Sequence, residues 1–146
     1  MASVGDVKEK VQRILSNAFG SVRIDKDGDF VTSYESAVVF IEVRKFLEDR
    51  VRVTFRAPLV KDVQTTPELY KWVATKGQEY FFGTCRVNVP DGQNLGWVFM
   101  EHTILGDDLD ESELINALTL VTIASNGLDN QIRDQFGGEL FGNDED

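Results

Sequence analysis

His102 and Cys85 are the only histidine and cysteine among 146 residues. An imidazole acts as a general base only beside a nucleophile or substrate. A thiol attacks carbon only as thiolate, which needs a lowered pKa. The two residues stand in separate strand-like runs, and nothing in their spacing joins them. A small buried hydrophobe is the ordinary role for such a cysteine, so no catalytic residue is assigned. One cysteine also leaves no internal disulfide framework.

Two acidic patterns could hold a cation. Asp25-Lys26-Asp27-Gly28-Asp29 resembles part of a calcium loop but fails on spacing. Gly28 is fourth where the loop needs its glycine sixth, and Ser36 stands where a bidentate glutamate is required. Asp27-Gly28 between two alternating runs reads better as a hairpin turn. The acids Asp107, Asp108, Asp110, Glu111 and Glu113 cluster just ahead of a helix, where they cap free N–H groups and complement the dipole. No metal site and no cofactor are assigned.

Binding chemistry is better represented. Arg50, Arg52 and Arg56 form a basic stripe on one strand face, suited to an acidic peptide or an acidic tail. Pairing with neighbouring carboxylates is the plainer role, and Glu42 on the adjacent strand is the expected partner. Tyr70, Trp72, Tyr80, Phe82 and Trp97 cluster with Phe81 and Phe99 around the second helix and the last two strands. Tyr80, Phe81 and Phe82 are consecutive, so a strand there would show aromatics on both faces, one to the core and one to an interface. The Arg stripe together with Tyr70, Trp72, Tyr80, Phe82 and Trp97 make up the candidate partner-binding set.

The composition fits one soluble domain with a real core, 42% apolar and long enough to fold without staples. A formal charge of −10 opposes binding to nucleic acid. No window approaches the roughly 20 apolar residues of a membrane span. The first six residues lack a basic region followed by an apolar core, so no secretory signal is expected. With a lone cysteine, the expected setting is cytoplasmic.

The elements that must position these residues follow from periodicity. Ser3 and Asp6 form a capping box ahead of a helix from about Val4 to Phe19, ended at Gly20. Strands follow on either side of Asp27-Gly28, then from about Ala37 to Phe46, a nearly apolar run expected to be central and covered on both faces. Another starts near Val51 and ends near Pro58. There Val51, Val53 and Phe55 face one way, and Arg50, Arg52, Thr54 and Arg56 the other. Thr65, Pro67 and Glu68 open a helix of about three turns that Gly77 stops. Two more strands span Phe81–Val89 and Leu95–Met100. Asp110 and Glu113 cap a long helix to Phe136, with Leu114, Leu118, Val121, Ala124, Leu128, Ile132 and Phe136 along one stripe. The order α-β-β-β-β-α-β-β-α predicts an α+β fold with a mostly antiparallel sheet. Residues 1–138 read as one domain, and 139–146 as an acidic, frayed tail.

Glu68-Leu69-Tyr70-Lys71-Trp72-Val73, then Phe82-Gly83, then Leu109-Asp110-Glu111-Ser112-Glu113-Leu114 before a long helix resemble actinobacterial YbjN-like proteins. The run Leu128-Asp129-Asn130-Gln131-Ile132-Arg133-Asp134-Gln135-Phe136-Gly137-Gly138 adds to the resemblance, which covers about Val4 to Gly138. The element order is similar to that of the type III secretion chaperones, to which the YbjN domain is related in fold. The resemblance implies a small, acidic, non-enzymatic protein, often a homodimer, that binds a peptide or protein client. It carries no catalytic residue over. The leading expectation is therefore an interaction module that offers a sheet face or edge to an extended peptide. The alternative is a carrier of a small apolar ligand, with a cavity between sheet and long helix lined by Phe40, Phe55, Phe81, Trp97, Leu118 and Val121.

Overall fold

The computed structural model describes residues 3–141. Helix α1 spans Val4–Phe19, and its capping box is in place: Ser3 Oγ accepts from the Asp6 N–H at 3.1 Å, and Asp6 Oδ2 from the Ser3 N–H at 3.2 Å. Strands β1 (Arg23–Ile24), β2 (Phe30–Tyr34), β3 (Ala37–Leu47) and β4 (Arg50–Gln64) follow. Then come α2 (Pro67–Ala74), β5 (Thr84–Asn88), β6 (Leu95–Leu105), α3 (Glu111–Phe136) and β7 (Glu139–Leu140). The strands form one antiparallel sheet in the order β1-β2-β3-β4-β6-β5, with β7 added to β4. The fold is α+β, as the element order implies. Among the described residues, no helix is long and apolar enough to cross a membrane.

The helices cover one face only. On β4, Val51, Val53, Phe55 and Ala57 are buried beneath them, joined by Val39, Ile41 and Val43 of β3 and by Val98 and Met100 of β6. Val7, Val11 and Leu15 of α1 and Leu114, Leu118, Val121 and Ile132 of α3 close the same core. The Asp110 capping box of α3 is formed, with the Glu113 N–H donating to Asp110 Oδ1 at 2.8 Å. Asp107 Oδ2 accepts from the Val51 N–H at 3.3 Å. The acidic cluster thus works as backbone capping. Asp25 does the same in the β1–β2 turn, where its Oδ1 accepts from the N–H groups of Asp27 and Asp29, each at 2.9 Å.

Five details depart from the sequence expectations. The central strand is β4, with β3 beside it, and the face of β3 away from the helices is open. Pro58 does not end β4: β3 pairs with β4 only as far as Arg56, so Pro58 lies where no β3 residue needs its missing N–H. Thr66, not Thr65, caps α2, accepting from the Leu69 N–H at 3.2 Å. Gly77 lies past the end of α2 in a short 3₁₀ turn, Lys76–Gln78, where an added Cβ would come within 2.8 Å of the Cys85 Cβ; packing, not helix termination, demands it. Residues 139 and 140, expected to be frayed, form β7, and residues 142–146 of the expected tail lie outside the described residues.

Candidate peptide-binding groove

The open face of the sheet is concave. One groove of about 1100 Å³ is lined by Asp25 and Asp29 near one sheet edge and by Arg86 and Asn88 of β5 at the other. Strand alternation puts Glu42 of β3 and Arg56 and Pro58 of β4 along its floor, with Phe40 of β3 on one side and Trp97 and Phe99 of β6 on the other.

Its centre is an ion-pair cluster. Arg56 Nη1 donates to Glu42 Oε2 at 2.6 Å, and its Nη2 and Nε donate to Glu101 Oε2 at 2.8 and 3.1 Å. Arg86 Nε stands 3.4 Å from the other Glu101 oxygen. The Arg56 guanidinium also sits 5.6 Å over the Phe99 ring. The expected Arg56–Glu42 pair is therefore present, and Glu101 shares it. A cation held by two carboxylates and a ring is poorly placed to capture an acidic partner, and the cluster makes the floor polar but charge-balanced. Phe40, Phe99 and Trp97 form the apolar walls.

The candidate residues divide between the two sides of the sheet. Arg56 and Trp97 come together in the groove. Arg50 and Arg52 share that face, with Arg52 Nη1 donating to Thr54 Oγ1 at 2.6 Å, but lie outside the groove lining. Tyr70 is exposed on α2 and also lies outside the groove lining. Trp72 faces the core, only 8% exposed, with its ring 6.2 Å from Phe136. It packs in the core. Tyr80 and Phe82 are not on a strand. Gly83 adopts φ +117° and an added Cβ would approach the Met100 side chain to 2.9 Å, so the ladder starts only at Thr84. Tyr80, Phe81 and Phe82 form a loop, with Phe82 edge-on to His102 at 5.4 Å. The carrier lining also fails as a set. Phe55, Leu118 and Val121 are in the packed core, Phe40 and Trp97 line the opposite face, and Phe81 is 97% exposed. Sequence reasoning missed Phe141, which packs on Phe40 and Trp97; only the aromatic character of a residue in an acidic tail hinted at it.

The family model described as TY-Chap1, "T3SS (YopN, CesT) and YbjN peptide-binding chaperone 1", matches residues 5–144. The chain belongs to this family. No curated protein matches it. Among solved structures, YbjN from E. coli superposes with a TM-score of 0.63 at 9% identity, covering 93% of this chain and 97% of that one. The Yersinia pestis type III secretion chaperone SycH, solved with a stable fragment of YscM2, gives 0.52 at 11% identity over 83% and 98%. The ExsC–ExsE complex gives 0.57 at 17% identity over 84% and 93%. At such identities the likeness is one of fold.

In this TY-Chap1 domain, Cys85 lies on β5 and His102 on β6. Cys85 is buried and burial pushes its thiol up to about 12, which favours the thiol over the thiolate at neutral pH. His102 stacks on Phe55 and its pKa is lowered by burial. A lowered histidine pKa means that the unfolded chain takes up the proton first. This contribution to stability is therefore present above pH 6.5 and lost as pH falls below it. Urea unfolding of wild type and His102→Phe from pH 7.5 to 5 is expected to show the wild type losing more stability over that range. Parallel profiles would disprove the link.

Proposed function

We propose that this domain is a non-enzymatic, chaperone-like module that holds an extended segment of a protein client in the concave groove. The observation that carries the reading is a charge-balanced floor around Arg56 between aromatic walls, on the sheet face away from α1 and α3. An extended chain laid there buries alternate side chains against Phe40, Trp97 and Phe99. The description of the family as peptide-binding supports it, and the neighbours solved as SycH with a YscM2 fragment and as ExsC–ExsE show that the fold accommodates protein partners. A net charge of −10 keeps such a module soluble and disfavours nucleic acid as its partner. The buried, unpaired Cys85 thiol suits the reducing, cytoplasmic setting expected from the sequence.

Trp97 provides the test. In a Trp72→Phe background it is the sole tryptophan. Titration with a library of extended peptides carrying alternating aromatic residues is expected to shift its emission to the blue in a saturable way. If no peptide moves the emission or binds by calorimetry, the reading is wrong.

A homodimer is part of the proposal. Phe19, Tyr34 and Ile123 are more than half exposed around a second groove of about 800 Å³ between the end of α1, β2 and α3, and no carboxylate lines it. Two strongly acidic copies can approach there with the least repulsion. Light scattering is expected to give twice the chain mass of 16.4 kDa at micromolar concentration, and Ile123→Glu the single mass. A wild-type protein of single mass removes this part of the proposal.

A further inference from the structure

We infer that the chain's own C-terminal segment is a built-in occupant of the groove, and that it defines the client the groove takes. That client is an extended segment with an aliphatic residue followed directly by an aromatic one. The inference rests on the peptide-binding reading above.

Beyond Arg56 the side of β4 that β3 covers is vacated, and β7 takes it, pairing Leu140 with Val60 and Glu139 with Lys61. Leu140 then points inward, where it is 5% exposed, and Phe141, one residue past β7, lies on the open face. The Phe141 ring stands 5.9 Å from Phe40, edge-on, and 5.6 Å from Trp97. It therefore bridges Phe40 and Trp97 and itself lines the groove, narrowing the space left for a client. This is strand addition to a free edge, carried out within one chain.

The attachment is made to close and to release. Gly137 and Gly138 have φ of +90° and +88° and turn the chain sharply at the end of α3. A Cβ on Gly138 would come within 2.8 Å of the Lys61 carbonyl oxygen, so only glycine allows β7 to reach β4. Among the described residues, β7 and Phe141 hold on through two ladder positions and the Leu140 and Phe141 side chains, a contact too short to be stable without its tether. The tether supplies an effective concentration on the order of millimolar. A client strand that offers the same aliphatic–aromatic pair plus further contacts along the groove displaces it, and weaker peptides are kept out.

The test uses the 146-residue chain and a fluorescein-labelled synthetic peptide of residues 137–146 as probe. Anisotropy is measured with wild type, Phe141→Ala and Gly138→Ala. The two variants vacate the groove by different routes, one by removing the ring and one by blocking the approach of β7. Both are expected to bind the probe at least tenfold more tightly than wild type, and a probe carrying Phe141→Ala is expected to bind neither. Affinities within twofold for wild type and both variants overturn the inference, as does a probe that binds equally well with and without its phenylalanine. The library peptides are titrated in parallel. If those still bind wild type through Trp97 while the tail probe fails, the tail inference falls and the peptide-binding reading stands. If neither binds any form, both fall.

Discussion

Phe55→Ala is expected to lower the unfolding free energy by about 3–5 kcal/mol, while Phe81→Ala changes it by no more than about 0.5 kcal/mol. The substitution is the same and only the placement differs. Phe55 is 0% exposed at the middle of β4, the central strand, with α3 packed on its side of the sheet and His102 stacked on its ring. Truncating it removes a large apolar surface and leaves a cavity in a core that cannot collapse onto it, because β4 is held by β3 on one side and β6 on the other. Phe81 is 97% exposed in the loop before β5, and its removal uncovers nothing. A domain of this size holds only about 5–15 kcal/mol in total. The Phe55 variant should therefore show a urea midpoint lower by about 2 M, at slopes usual for small proteins. Equal midpoints for the two variants would mean that β4 is not the centre of the core.

The same pair of residues shows what was legible in the sequence and what was not. Phe55 sits in an alternating run, Val51 to Ala57, whose period of two fixes which side chains go inward. Local signals of that kind were readable: both capping boxes, the Asp27-Gly28 turn and the buried stripe of α3 are set by residues within a few positions of each other. Alternation with Cys85, Val87 and Val89 assigns Phe81 to a strand. What overrode that preference is a long-range contact, the fit of Gly83 against Met100, which no local pattern records. Pro58 misled for a similar reason. Its effect on a strand depends on whether a neighbour needs its N–H, and β3 stops pairing just before it.

The site was legible in part, and the limit is again tertiary. Arg56 and Glu42 could be paired from adjacent strands, but Glu101 completes the cluster from β6, which pairs across a crossover through α2. Trp72 and Trp97 have the same side chain and similar apolar surroundings in sequence. Only the fold sends one into the core against Phe136 and leaves the other on the open face. Phe141 was invisible because its partners, Phe40 and Trp97, lie on two strands separated by β4, and because its route to them needs the edge of β4 that β3 leaves free.

Trp97→Ala is expected to weaken peptide binding at least about 30-fold, corresponding to a loss of about 2 kcal/mol or more, with little change in stability. Trp97 is 37% exposed, so most of its cost on truncation falls on whatever covers it, not on the core. It also stands where apolar wall meets polar floor, two residues along β6 from Phe99, which carries the Arg56 guanidinium. A rigid aromatic at such a position gives large contact area for little lost side-chain entropy. Charge reversal at Arg50 and Arg52 provides the contrast. Both share the face of Trp97, but neither lines the groove, and contacts outside a packed centre contribute little to affinity. Their double reversal is expected to change the affinity less than threefold at physiological salt, where a Debye length of about 8 Å screens charges beyond the groove. The comparison discriminates between two kinds of recognition. A large Trp97 effect with a small arginine effect means that the client is held by side chains buried in the groove. The opposite ranking would mean that it is held by charge along the sheet face, and the partner would then be an acidic segment.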